Sequence, residues 1–203
     1  MLKTIQNAFK IPDLRKKLIY IFMMLVVIRF GSQLPIPGVD PSFIRNFFEQ
    51  HEGDAFNFFN AMTGGSFTNM SIFALSITPY ITSSIIIQLL TIAIPKLEEM
   101  QKEGEDGRKK IIEYTRYLTV ALALIQSTAM SIGFGSSGLL INFNEQTGLG
   151  KAGLIIVAVS TMTAGSALLM WIGERITQNG VGNGISIVLL FNIISSLPED
   201  VNM

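Results

Sequence analysis

The chain has no cysteine and a single histidine, His51, among its 203 residues, which excludes a disulfide framework, thiol ligation and a histidine-built metal site. Charge is also scarce: Asp, Glu, Lys and Arg make up 15% of the chain and cancel to a net charge of zero, while 49% of residues are hydrophobic. A mean hydropathy of +0.46 is too apolar for an ordinary soluble domain of this length. From Ala55 to Pro95 there is no Asp, Glu, Lys, Arg or His at all. Inside the long apolar runs the only ionisable side chain of note is Arg29, near an edge. Proton relays, intramembrane proteases and ion-coupled carriers place ionisable groups at membrane depth. These absences point away from an enzyme and from any resident metal or cofactor.

What is present is a series of apolar runs, each closed by Pro, Gly or a charge cluster: Leu18 to Leu34, Ser71 to Ile94, Leu118 to Ile141, Ala152 to Gly173 and Ile185 to Leu197. A helix crosses the hydrocarbon layer with about 20 residues, so the chain reads as an all-α polytopic membrane protein with five transmembrane helices. The last run is the shortest and crosses only with thinning, or with Gly180 to Gly184 drawn in. Ahead of the second run, the Phe-rich stretch 56–66, broken at Gly64-Gly65, reads as a second, shorter element dipping toward the membrane.

Twelve basic residues, from Lys3 through Lys17, Lys96 through Arg116, and Arg175, fall on one side of these spans, against Arg45, Lys151 and the edge residue Arg29 on the other. The positive-inside rule then places the N-terminus in the cytoplasm and the C-terminus of this chain outside. Residues 1–17 form a basic cytoplasmic segment in which Leu2, Ile5 and Phe9 share a helical face, and 95–116 reads as a solvated cytoplasmic turn reversing at Gly104 to Gly107. Tyr114, Tyr117 and Trp171 mark the inner boundary as aromatic-belt residues.

Two features have plain readings. Gly180-Val181-Gly182-Asn183-Gly184 follows a membrane helix rather than a strand and lacks a phosphate-loop lysine, so it is a flexible turn with close helix approach, and no nucleic-acid or nucleotide role follows. Thr82, Ser83, Ser84 and Gln88 have no neighbouring base, which leaves hydrogen bonding between helices. In the second run Ile77, Ile81 and Ile85 recur every four residues on one helix face, with Pro79 loosening the backbone between them. On the residues alone, such a face also suits an ordinary helix that meets lipid or its neighbours.

Five motifs change that balance: Arg29-Phe-Gly-Ser-Gln-Leu-Pro-Ile-Pro-Gly-Val-Asp40, Ser71-Ile-Phe-Ala-Leu-Ser-Ile-Thr-Pro-Tyr-Ile81 through Leu90, Lys102-Glu-Gly-Glu-Asp-Gly-Arg108, Glu113-Tyr-Thr-Arg-Tyr117 and Gly182-Asn-Gly-Ile-Ser186. In order and spacing the chain resembles the bacterial SecY family, the protein-conducting channels of the general secretion pathway, over the first five of that family's ten spans. The resemblance implies one half of an hourglass pore made of two inverted five-helix halves. It implies a pore ring of Ile77, Ile81, Ile185 and Leu189, a plug containing Phe56, Phe58, Phe59, Met62, Gly64 and Gly65, and a lateral gate with Thr82, Ile85 and Gln126. A ring of branched aliphatics suits the task, since it offers no ligand to replace an ion's hydration shell and dewets when narrow, yet yields to a passing chain.

The implied partners are SecE-like and SecG-like membrane subunits, a SecA-type motor ATPase and the ribosome, mainly through the other half, together with signal sequences, unfolded polypeptides and the lipid bilayer. The expectation is an N-terminal half that conducts polypeptide passively in the bacterial cytoplasmic membrane and does not act alone. Half of a secondary solute carrier and a structural membrane subunit are the competing classes.

Overall fold

The computed structural model describes residues 11–40, 42–43, 46–47, 54–135, 140–141, 143 and 148–200, without the side chains of 54–57, 59, 134 and 196–200. The amphipathic helix expected over 2–11 and the residues around His51 lie outside them.

The described residues form helices α1 (Pro12–Ser32), α2 (Asp54–Thr63), α3 (Thr78–Ala93), α4 (Pro95–Lys102), α5 (Glu105–Phe134), α6 (Gly148–Asn179) and α7 (Gly184–Asp200). α1 starts with Pro12 in its first turn, where the missing N–H has no partner to lose, and Asp13 beside it favours the positive end of the helix dipole. It stops where Pro35 and Pro37 force extended backbone. There Ile36 N donates to Met70 O and Ile72 N to Leu34 O, so the chain after α1 runs antiparallel to the segment before α3.

The second apolar run departs from its expected form. Only Thr78–Ala93 is helical, and Ser71 to Ile77 is a chain of turns with Met70 and Ser76 at φ of 43° and 54°. Pro79 is the physical reason for the late start: it sits in the first turn of α3, so it opens the helix rather than loosening its middle. Ile77 is therefore the N-cap residue, not a member of the helical face that carries Ile81 and Ile85.

The expected turn over 95–116 is mostly helix. At Ile94 the backbone is extended and Pro95 begins α4, giving a bend of 102° between α3 and α4. Gly104, at φ of 83°, makes the reversal into α5. The charges remain solvent-facing, as in the exposed Lys102–Glu98 pair at 2.6 Å. Gly180 to Asn183 stays outside α7 rather than lengthening it.

α5 and α6 run antiparallel: Arg116 meets Glu174, and eleven residues further along α5 and back along α6, Ser127 meets Thr163 at 3.2 Å. α7 returns against α6 through glycines. A side chain at Gly184 would strike Gly173 O, and one at Gly173 would lie 3.2 Å from Ile185 and 3.4 Å from Ile77. The core has two parts. Ile36, Met70, Ala74, Leu75, Ala158 and Met162 belong to one, near the non-helical segments, and Ile28, Phe73, Ile77, Leu169, Ile172 and Val188 to the other, along α6.

Among the described residues, α6 is long and apolar enough to cross a membrane, and α3 with α4 reaches that standard as one bent pair. The apolar part of α7, Gly184–Ser195, is shorter.

Candidate functional site

The four predicted ring residues come together. Ile77 is completely buried in the core along α6, and Ile81, Ile185 and Leu189 pack against that same cluster while staying partly exposed. The convergence arises because the glycine-faced approach of α7 to α6 brings Ile185 beside Gly173, where the Ile77 side chain also arrives. The four are not equivalent, however. Ile77 seals the bundle interior, and the other three form the edge of the cluster that faces outward.

The predicted plug residues divide likewise. α2 carries them, but the side chains of Phe56 and Phe59 lie outside those described; Phe58 is exposed and Met62 half-buried. Gly64 and Gly65, at φ of 65° and 77°, end the helix in a left-handed conformation that side chains resist. Asn60 braces the turn, its Oδ1 accepting from Thr68 N at 3.4 Å and Thr68 Oγ1 at 3.1 Å. α2 rests on α7: a side chain at Gly64 would lie 3.2 Å from the Asn192 backbone.

Of the predicted gate residues, Ile85 is exposed on α3, while Thr82 and Gln126 are half-buried. The expected hydrogen bonding between helices is not what Ser83 and Gln88 do. Ser83 Oγ donates to Pro79 O at 2.7 Å within α3, and Gln88 Nε2 donates to Ser84 Oγ at 3.5 Å on the same helix. A helical hydroxyl can bond the carbonyl four residues back, a local partner that competes with bonds to other helices.

Polar contacts between elements sit elsewhere, on Ser76, Ser166 and Asn192, which the sequence does not single out, and on Arg29 and Gly64, which it does. Ser76, held at positive φ, accepts Ser166 Oγ on its carbonyl at 3.2 Å and Asn192 Nδ2 on its hydroxyl at 3.4 Å, tying α6 and α7 to the turn before α3. Arg29 Nη1 donates to Gly64 O at 3.0 Å. A lone Asn in an otherwise apolar run, and a lone Arg in another, were the available signals.

At the charged end of the bundle, a cleft of about 800 Å³ is bordered by Tyr80, Arg116, Tyr117, Glu174 and Ile185. Arg116 grips Glu174 through both nitrogens, at 2.9 and 2.6 Å. The Glu174 hydrogen bond raises the Arg116 pKa above its usual value, and Tyr117 is raised by donating to Glu113 at 3.1 Å. Among the described residues, the arrangement is an apolar cluster at the ring positions and a positive-φ glycine pair after α2.

Residues 71–203 match the SecY family model. The chain belongs to the SecY family. It is 44% identical to the protein translocase subunit SecY of Pseudomonas aeruginosa over 93% of this chain and 41% of that protein. It is equally similar, at 44%, to the subunits of the same name from Streptomyces scabiei, covering 98% of this chain and 47% of the relative, and Bacillus subtilis, covering 99% and 45%. The chain thus spans less than half the length of these SecY relatives. The all-helical architecture, with one clear span and a bent pair, agrees with that membership.

Proposed function

We propose that this chain supplies one half of a protein-conducting channel in the bacterial cytoplasmic membrane, passing unfolded polypeptides across it and membrane segments sideways into lipid. The observation that carries this reading is the convergence of Ile77, Ile81, Ile185 and Leu189 from two stretches of chain onto one apolar cluster. Five crossings with a cytoplasmic N-terminus complete the half, and the basic end carrying Arg116 faces inward. Within it Ile81, Ile185 and Leu189 form the yielding side of the ring, with Ile77 as their buried support.

α2 serves as the plug that seats beneath the ring, with Gly64-Gly65 as its hinge. Thr82, Ile85 and Gln126 lie along the seam that opens to lipid. The opposing half, SecE-like and SecG-like subunits, and a SecA-type motor or a ribosome complete the working assembly. The chain conducts and does not catalyse; the driving work comes from the motor or the translating ribosome.

The test is Ile81→Ser in the assembled channel, read as potassium chloride conductance in planar bilayers and as secretion of a precursor protein. A hydroxymethyl in place of a butyl group hydrates the constriction, so resting conductance rises at least severalfold. Unchanged conductance together with unchanged secretion overturns the ring.

A further inference from the structure

We infer that Arg29 is a latch for the hinge of α2, a role that rests on reading α2 as the plug. The guanidinium on the last turn of α1 donates to the carbonyl of Gly64, 35 residues away in sequence, at 3.0 Å. Among the described residues this is its one hydrogen bond, and a carbonyl held by a charged donor is held more firmly than by a neutral one.

Three further observations place this bond at a hinge. Gly64 is at φ of 65°, and this conformation of the hinge presents its carbonyl to α1. Where a side chain would begin on the same residue, the Asn192 backbone of α7 lies 3.2 Å away. Asn192 in turn donates to Ser76 Oγ at 3.4 Å, so the hinge meets both α1 and α7, elements anchored in the bundle. The setting is apolar. Arg29 borders a groove of about 340 Å³ with Phe22, Leu25, Val26, Phe30 and Phe191, and Gln33 is the one other polar side chain on that lining.

A swing of α2 taken up at Gly65 withdraws that carbonyl from Arg29, so the bond sets how readily the plug leaves by rotation there. Arg29 is thus a positioning residue: it touches neither the ring nor, while the plug is seated, a passing chain.

The experiment compares the wild-type assembled channel with Arg29→Met, Arg29→Lys and a deletion of Asp54–Thr63, in planar bilayers with potassium chloride and by hydrogen exchange. The reporting amides are Gly64 and Gly65, which donate to Ala61 O and Asn60 O, both at 3.1 Å. Arg29→Met is expected to raise resting conductance severalfold and to speed exchange at these amides about tenfold, and Arg29→Lys, which keeps a charged donor, to restore a large part of both. A leak on deletion, with no change in conductance or exchange for Arg29→Met, overturns the latch and leaves the plug standing. No leak on deletion overturns the plug, and the latch with it. Should Arg29→Met not assemble, Arg29→Gln, whose donor stem is too short to span the gap, decides through exchange at Gly64, an unchanged rate overturning the latch.

Discussion

At the residue scale, the two isoleucines Ile77 and Ile85, alike in composition and both in one apolar run, do different work. Ile77 is completely buried against α6 and α7, whereas Ile85 stands 52% exposed on α3. Truncating a buried isoleucine removes its transfer energy and leaves a cavity, so Ile77→Ala is expected to cost about 2–5 kcal/mol. Thermal unfolding of the detergent-solubilised assembly should show it as a lower midpoint. Ile85→Ala is expected to leave that midpoint nearly where it was, within about 0.5 kcal/mol, and to act on the release of membrane segments into lipid if the seam lies there. Equal destabilisation by both would contradict the burial difference.

Hydroxyl groups make the same point. Ser83 and Thr91 satisfy themselves on their own helix, at 2.7 and 3.1 Å, while Ser76, in the turn before α3, gathers partners from two others. Residue type does not separate these cases; backbone conformation does.

At the element scale, α5, α6 and α7 are held by two unlike joints. The α6–α7 joint depends on missing side chains. Gly184→Ala would push a methyl into Gly173 O, and overpacking of that kind is expected to cost about 1–3 kcal/mol, measured as a lowered thermal midpoint, or to separate the helices. The α5–α6 joint carries the Arg116–Glu174 pair at one end and the Ser127–Thr163 contact further along. The arginine is 46% exposed at the side chain but Glu174 only 12%, so salt screens the pair only in part, and Arg116→Ala, which leaves that carboxylate unpaired, is expected to cost about 1–3 kcal/mol. The pair's pH behaviour follows in sign. Glu174 holds the Arg116 proton more firmly in the folded protein than in the unfolded chain, so the arginine's part in this stabilisation is present through neutral and mildly alkaline pH and is lost as pH rises through the raised arginine range. Stability titrated between neutral and mildly alkaline pH should show no loss traceable to Arg116.

The bend between α3 and α4 belongs to this scale too. Pro95 after the extended Ile94 ends one helix and opens the next, a boundary a proline marks in any sequence. The turn chemistry at Gly104 was equally legible. The helical content of 95–116 was not, because mixed charges signal solvent exposure and say little about whether the exposed backbone is coiled or helical.

At the scale of the whole molecule, the proposed gate residues lie on α3 and α5, Ile85 exposed and Thr82 and Gln126 half-buried. A half-buried glutamine at a seam keeps the closed packing from becoming a continuous apolar contact, so Gln126→Leu is expected to favour the closed state. In the assembled channel, precursors with weak signal sequences should be secreted several times more slowly, with little change for strong ones. Equal or faster secretion of both would remove Gln126 from the gate.

Composition alone was enough for the membrane class, since a run without charge from Ala55 to Pro95 has no solvent-compatible alternative of that length. The ordered motifs from Arg29 to Ser186 were enough for the family. The packing of Ile185 near Ile77 was anticipated only through that resemblance, and its cause, the bare faces of Gly173 and Gly184, appears only when α7 is laid on α6.

Hydropathy, proline positions and glycine breaks are properties of neighbouring residues, and on those the sequence by itself determined the apolar runs and their order, while the helices end elsewhere, α3 beginning at Thr78 rather than Ser71 and α5 at Glu105 rather than Leu118. The tertiary structure alone decided that Ile77 closes the interior, that Ser76 joins α6 to α7, and that Arg29 holds Gly64. The first two depend on the path of the chain through two turns at positive φ, Met70 and Ser76, where no local preference announces the conformation, and the third involves Gly64, itself at positive φ. Pairings across 35 to 116 residues are settled by which buried polar group finds a partner once the helices have packed.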